Sequence, residues 1–250
     1  SMLKRHYKKP FELVCVTDNP TIDIDDDIRI VPMWDDLMEY GRCFTRLKCF
    51  APEMAYTIAP EFVSLDLDVV IVGDITHMFD EEIEFKIWSA RPELSWMPYC
   101  GSLFQIKAGL VEDVWNDFST DDLIYGTHDR TKKEMWFNSK SAAAGFLNGS
   151  DQAWIAYCLY PNVPIWTPED DGVYVFNAHI RKQDRYRNKT IWVKDNTGKK
   201  VRKKKRVLVE GECRDGRLPK NAKMVFFPGT HDPTQRELQK EYPWIGEHYW

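Results

Sequence analysis

A chain of 250 residues, 43% hydrophobic and 29% charged, is long enough to bury a sizeable core, which excludes a disordered or low-complexity protein. No apolar run reaches membrane-spanning length and no secretory signal opens the chain, so a cytoplasmic α/β protein forming one domain over residues 1–250 is expected. The net charge of −5 hides a segregation: residues 181–206 hold 13 Lys or Arg against two Asp, a local +11 that leaves −16 elsewhere.

In chain order, Ser1-Met2 reads as a cloning remnant and Leu3–Tyr7 as the end of a helix. Phe11–Asp18 is a buried-strand pattern running into a polar turn, Asn19–Asp27 an acidic loop, and Ile28–Met33 a second short strand. Cys43–Phe50 has helical periodicity, carries Arg46 and Lys48, and is stopped by Pro52. The segment Glu61–Asp74 then runs apolar, breaks at Asp66 and Asp68, and resumes apolar. On a strand, acids two apart share a face and repel unless a cation lies between them. All-oxygen ligation of that kind suits Mg²⁺ or Mn²⁺. An isolated D-x-D is equally a solvated acidic turn at a strand end.

Ile75–Phe79 predicts a short helix, Phe85–Ala90 and Gly101–Ile106 two strands, and Ala108–Phe118 an amphipathic helix. Weak patterning from Asp129 to Asn148 predicts a mobile loop, and Ser150 is placed to cap a helix from Asp151 to Tyr160. Strands alternating with helices predict a mainly parallel sheet with ligands at the carboxyl ends of its strands. Residues 181–218 form a basic insertion. Within it, Asp195-Asn196-Thr197-Gly198 sits between two strand-like runs and predicts a β-hairpin. Lys223–Phe227 is a last strand and Gln235–Glu241 a last helix. The six cysteines, Cys15, Cys43, Cys49, Cys100, Cys158 and Cys213, show no C-x-x-C pairing, which predicts buried reduced thiols rather than a zinc site or disulfide framework.

Five stretches occur in a telling order: Phe44-Thr45-Arg46-Leu47-Lys48-Cys49-Phe50; Asp66-Leu67-Asp68; Cys100-Gly101-Ser102; Gly149-Ser150-Asp151-Gln152; and Phe226-Phe227-Pro228-Gly229-Thr230-His231-Asp232-Pro233. Together they resemble the nucleotide-sugar glycosyltransferases of the GT-A fold, especially the glycogenin-like family eight and related bacterial or phage enzymes. The likeness runs from Leu3 to about Pro233 and omits the basic insertion. It implies a GT-A-like, Rossmann-like sheet flanked by helices, and transfer of a sugar from a nucleotide-diphosphate donor, UDP most readily, to an acceptor the sequence does not identify.

The resemblance also implies roles for individual residues. Asp66 and Asp68 hold Mn²⁺ or Mg²⁺ against the donor diphosphate, with His231 a stand-in for the family's terminal metal-binding histidine, whose place is taken here by Phe226, Phe227 and Pro228. Arg46 reaches the donor phosphate or sugar, and Gly101 and Ser102 form a small-residue loop under the sugar. Asp151 and Gln152 lie at the reacting sugar, Asp151 stabilising positive charge at the anomeric carbon in a retaining reaction. Helix capping accounts for Asp151 equally well. The family's phosphate-binding Lys is missing, with Asp232 ahead of Pro233, and the family's first strand is expected to be absent. Thr17 and Asp18 are then the candidates nearest the nucleotide base.

Two other classes fit parts of the pattern. Asp66-Leu67-Asp68-Val69-Val70 also matches the nucleophile motif of haloacid-dehalogenase-like phosphatases, with Asp66 as nucleophile, Asp68 as acid/base and Asp170-Asp171 as a later acidic pair. The basic stretch, with Tyr174, Tyr186 and Trp192, fits a nucleic-acid-binding module. Combined with the transferase reading, it makes DNA or an anionic glycan a candidate acceptor bound through Lys199–Arg206.

Overall fold

A computed structural model describes residues 1–19, 21–127, 133–182, 186–194, 200–208 and 214–249. Cys213, Lys199 and the turn Asp195-Asn196-Thr197-Gly198 lie outside the described residues. The chain opens with α1 (Met2–His6), then β1 (Leu13–Thr17) and β2 (Ile28–Pro32), which pair in parallel. α2 (Arg42–Thr45) continues as a 3₁₀ segment to Phe50, and α3 (Met54–Thr57) follows. Next come β3 (Glu61–Leu65), β4 (Val69–Ile71), β5 (Phe85–Trp88) and β6 (Cys100–Lys107). Then α4 (Asp113–Asn116), β7 (Leu123–Thr127), β8 (Glu134–Asn138), α5 (Ser139–Ala143) and α6 (Asp151–Leu159) lead to β9 (Ile165–Trp166), α7 (Pro168–Asp171) and β10 (Val173–Val175). The chain ends with β11 (Tyr186–Lys194), β12 (Lys200–Leu208), β13 (Met224–Phe226), α8 (Arg236–Glu241) and α9 (Pro243–Tyr249).

The fold is mixed α/β, but its strands form several small sheets rather than one mainly parallel sheet. A four-stranded sheet has the order β3-β6-β5-β9 and a three-stranded sheet the order β10-β13-β4. Among the described residues only β1–β2, β5–β9 and β10–β13 pair in parallel; β3–β6, β5–β6, β4–β13, β7–β8 and β11–β12 are antiparallel. The expectation of a mainly parallel sheet is therefore corrected. Its cause is that helical connections here are short, and several neighbouring strands return without the long crossover that parallel pairing requires.

The three-stranded sheet is buried on both faces. Val69, Ile71, Val173, Met224 and Phe226 face a cluster that includes Trp88, Leu103 and Trp166 from the four-stranded sheet. Val70, Val225 and Phe227 face the other way, toward Leu238, Tyr242 and Ile245 of the closing helices. Such two-sided burial explains why these strands read as unbroken apolar runs. Trp88 stacks on Phe226 with ring centroids 4.5 Å apart, tying the two sheets together. The third cluster packs Phe44, Leu47 and Phe50 against Phe85, Phe104 and Trp154.

Further expectations change. Ile75–Phe79 is a run of turns, not a helix, and the helix expected over Ala108–Phe118 shrinks to α4. The loop expected from Asp129 to Asn148 contains β8 and α5, with β8 paired to β7, while residues 128–132 lie outside the described residues. Of the described cysteines all are free, but only Cys49 is buried; Cys43 is exposed. Burial pushes the Cys49 thiol up to about 12. Among the described residues no helix is long and apolar enough to cross a membrane.

Candidate functional site

The D-x-D pair does not lie within a strand. Asp66, Leu67 and Asp68 form the step by which the chain leaves β3 of the four-stranded sheet and enters β4 of the three-stranded sheet. Each side of the step is pinned by backbone: the Asp66 N–H donates to the Ser102 carbonyl at 2.9 Å, and the Phe227 N–H donates to the Asp68 carbonyl at 2.8 Å. Leu67 stands 91% exposed between them. The break arises because β3 and β4 have different partners, β6 and β13, so the backbone must change sheets where the apolar pattern lapses.

Arg46 is delivered to this step by the turn after α2. Phe44, Leu47 and Phe50 are fully buried, and the Trp34 indole N–H donates to the Thr45 carbonyl at 2.6 Å, which fixes the turn's orientation. Arg46 projects away from that apolar face. Its Nη2 donates to Asp66 Oδ1, and its Nη1 donates to Asp151 Oδ2 at 3.0 Å. The Asp151 side chain is 6% exposed and that of Arg46 25%. Burial works against the Arg46 charge, but the carboxylates of Asp151 and Asp66 outweigh it and hold the guanidinium above its ordinary pKa. For Asp151, burial pushes the carboxyl up, while Arg46 and the backbone N–H of Gln152 pull it back.

Gly101 closes this cluster from below. A Cβ there would sit 2.6 Å from Arg46 Nη1 and 3.1 Å from Asp151 Oδ2, so only glycine leaves the fork of the guanidinium undisturbed. Ser102 accepts at its carbonyl from Asp66, and its hydroxyl is 3.5 Å from Cys100 Sγ. Four residues picked from separate stretches of sequence, Arg46, Asp66, Gly101 and Asp151, are thus one packed unit.

Asp68 lies beside this unit. Burial raises its pKa first, and the neighbouring charges of Asp66 and Asp232 add to the rise. Asp232 of the C-terminal loop is thus an electrostatic neighbour of Asp68, while its own Oδ1 accepts from the Thr234 N–H at 2.8 Å. The His231 ring is 5.7 Å from Phe176, its Nδ1 is buried without a hydrogen-bond partner, and its electrostatic neighbours are Arg181 and Glu241. Among the described residues no three or more His, Cys, Asp or Glu group closely enough to hold a metal ion by themselves. Nothing in the sequence around Asp232 showed that it would act on the charge of Asp68.

The other expected site residues fall outside the cluster. Gln152 lines a shallow depression with Trp96, Tyr99, Phe146 and Leu147. Thr17, at the end of β1, takes the Asn19 N–H on its own hydroxyl at 3.1 Å, and Asp18 is exposed on the loop after it. Ser150 occupies the N-cap position of α6, yet its hydroxyl makes no capping bond and is buried unpaired. Asp170 and Asp171 serve the first turn of α7: the Thr167 hydroxyl accepts from the Asp170 N–H at 3.2 Å, and Asp171 Oδ2 accepts from the Thr167 N–H at 2.7 Å. Tyr174 lies on β10 and donates to Asn221 Oδ1 at 2.7 Å, remote from the hairpin strands in pairing. Comparison with protein-family models, with curated proteins and with solved structures found no match.

Proposed function

We propose that the chain is a glycosyltransferase that takes a sugar from a nucleotide-diphosphate donor with the help of a divalent cation. The supporting observation is the Arg46 bridge, which joins Asp66, 20 residues away in sequence, to Asp151, 105 residues away, over a glycine whose Cβ would meet the guanidinium.

The donor set fits a hard cation. Mg²⁺ and Mn²⁺ sites of this class use one or two protein carboxylates and take their remaining ligands from substrate phosphates and water. Asp66 Oδ2 and the Asp68 carboxylate supply that much, and burial, with Asp66 and Asp232 beside it, raises the Asp68 pKa. When bound, the cation supplies Lewis acidity that neutralises charge on a departing nucleoside diphosphate.

The chain's own residues account for the rest. Arg46 presents a fixed fork that serves phosphate as well as carboxylate, so donor binding competes with Asp66 for one of its arms. Asp151, oriented by the other arm, stabilises positive charge developing at the anomeric carbon. Gly101 lets the reacting groups approach the backbone of β6. Asp232, an acid where the family keeps a basic residue, repels a diphosphate, which leaves Arg46 and the cation to hold it.

A thermal-shift titration with UDP- and GDP-sugars, with and without Mn²⁺, tests the reading. Stabilisation by one sugar nucleotide only when Mn²⁺ is present is the expected result. Turnover of a generic phosphate ester without any nucleotide effect would replace it with phosphatase chemistry at Asp66.

A further inference from the structure

The hairpin β11–β12 takes no part in the cluster around Arg46. Its register sets Trp192 opposite Arg202, Lys194 opposite Lys200 and Thr190 opposite Lys204. Positions two apart on a strand share a face, so Trp192, Lys194, Lys200, Arg202 and Lys204 stand on one side of the ribbon. All five are exposed, Trp192 by 60%. The Arg202 guanidinium carbon lies 4.9 Å from the centre of the Trp192 ring. None of the four cations pairs with an acid among the described residues.

A two-stranded ribbon has no core in which to place an indole, so this ring is kept at the surface among cations. Along β12, Lys200, Arg202 and Lys204 recur about every 6.6–6.8 Å. That repeat is comparable with the phosphate spacing of an extended single strand. A duplex offers its grooves only base edges, whereas an unpaired base offers a ring face that a tryptophan can stack on. We infer that this face of the hairpin binds single-stranded nucleic acid, its phosphates on Lys194, Lys200, Arg202 and Lys204 and one base on Trp192, with Arg202 widening the stacking platform. The inference stands on the hairpin alone and does not depend on the sugar-transfer site.

The test uses the whole chain and a fluorescein-labelled 12-nucleotide single-stranded DNA, followed by anisotropy, with the matching duplex and a heparin fragment as competitors. With four phosphates neutralised, raising NaCl from 50 to 200 mM weakens binding roughly 50-fold. Trp192→Ala weakens it roughly tenfold at both salt concentrations, and Trp192→Phe restores most of the loss. The double change Lys200→Ala with Lys204→Ala halves the salt slope. Each variant is exposed and keeps the parent's thermal transition. Absence of binding, a duplex or heparin fragment that competes as well as unlabelled single strand, or affinity indifferent to Trp192→Ala would each overturn the inference.

Discussion

Asp68 carries a charge that folding makes more costly, because burial and then the carboxylates of Asp66 and Asp232 raise its pKa. A carboxyl with a raised folded-state pKa favours the fold while protonated and loses that contribution as pH rises through the folded value. At neutral pH the ionised group therefore costs stability. Asp68→Asn is expected to raise the metal-free thermal midpoint at pH 7, by about 2–4 °C for each kcal/mol relieved, and to lose the gain below about pH 4, where the carboxyl is protonated in both states. The same variant should show no Mn²⁺-dependent shift with any sugar nucleotide; a retained shift would remove Asp68 from the metal site.

Arg46 has the opposite character. Arg46→Ala leaves the Asp151 carboxylate buried without its cation and is expected to cost about 3 kcal/mol in urea unfolding. Arg46→Lys keeps a charge but not the fork, so it should recover only part of that loss. Gly101→Ala, which drives a Cβ to 2.6 Å from Nη1, is expected to abolish the nucleotide-dependent shift while costing about 1–2 kcal/mol. These residues were each legible as candidates from their stretches of sequence. That one guanidinium would serve both acids was not, since nothing local couples positions 105 residues apart.

At the level of elements, two glycines separate conformational cost from collision. Gly172 ends α7 with φ 73°, and a Cβ there would lie 2.0 Å from the Asn221 carbonyl, while the Asn221 side chain donates to the carbonyls of Pro168 and Glu169. Gly229 has φ 94° but open space around it. Gly229→Ala should cost about 1–2 kcal/mol from the left-handed backbone alone, and Gly172→Ala clearly more, read as the shift in urea midpoint at unchanged slope. Equal costs would mean that the turn at Asn221 yields freely.

Elements also show where local pattern misleads. Val111, Val114, Trp115 and Phe118 pack on the core as their helical spacing requires, yet the helix is a single turn. The Val114 carbonyl accepts the buried Trp154 indole N–H at 2.7 Å, and the Phe118 N–H turns to the Trp115 carbonyl instead. A tertiary hydrogen bond took the acceptor that the next helical turn needed. In the hairpin, by contrast, the alternating pattern and the Asn-Thr-Gly signal sufficed for the two flanking strands, whose pairing needs no third element.

Across the whole molecule, ionisable groups set opposing pH responses. Burial lowers the pKa of His6, His179 and His248, and His179 Nδ1 accepts the Val175 N–H at 2.9 Å, a role that protonation ends. A histidine with a depressed folded-state pKa contributes stability above its ordinary value near 6.5 and loses it as pH falls. The thermal midpoint is therefore expected to drop between about pH 7 and pH 5, and His179→Gln to flatten that drop. A midpoint that holds level in the parent would show that these histidines protonate without cost.

Composition, apolar pattern and charge by themselves determined the class of the fold, most strand positions and the basic hairpin. Those features depend on what each residue does to its own neighbourhood, through burial, β-propensity and turn chemistry. Only the tertiary structure decided that the run around Asp66 and Asp68 divides between two sheets, that Arg46 binds Asp66 and Asp151 together, and that Asp232 acts on the charge of Asp68. Each of these rests on which strand pairs with which, and that choice is made by the packing of distant apolar faces, not by any stretch of chain alone.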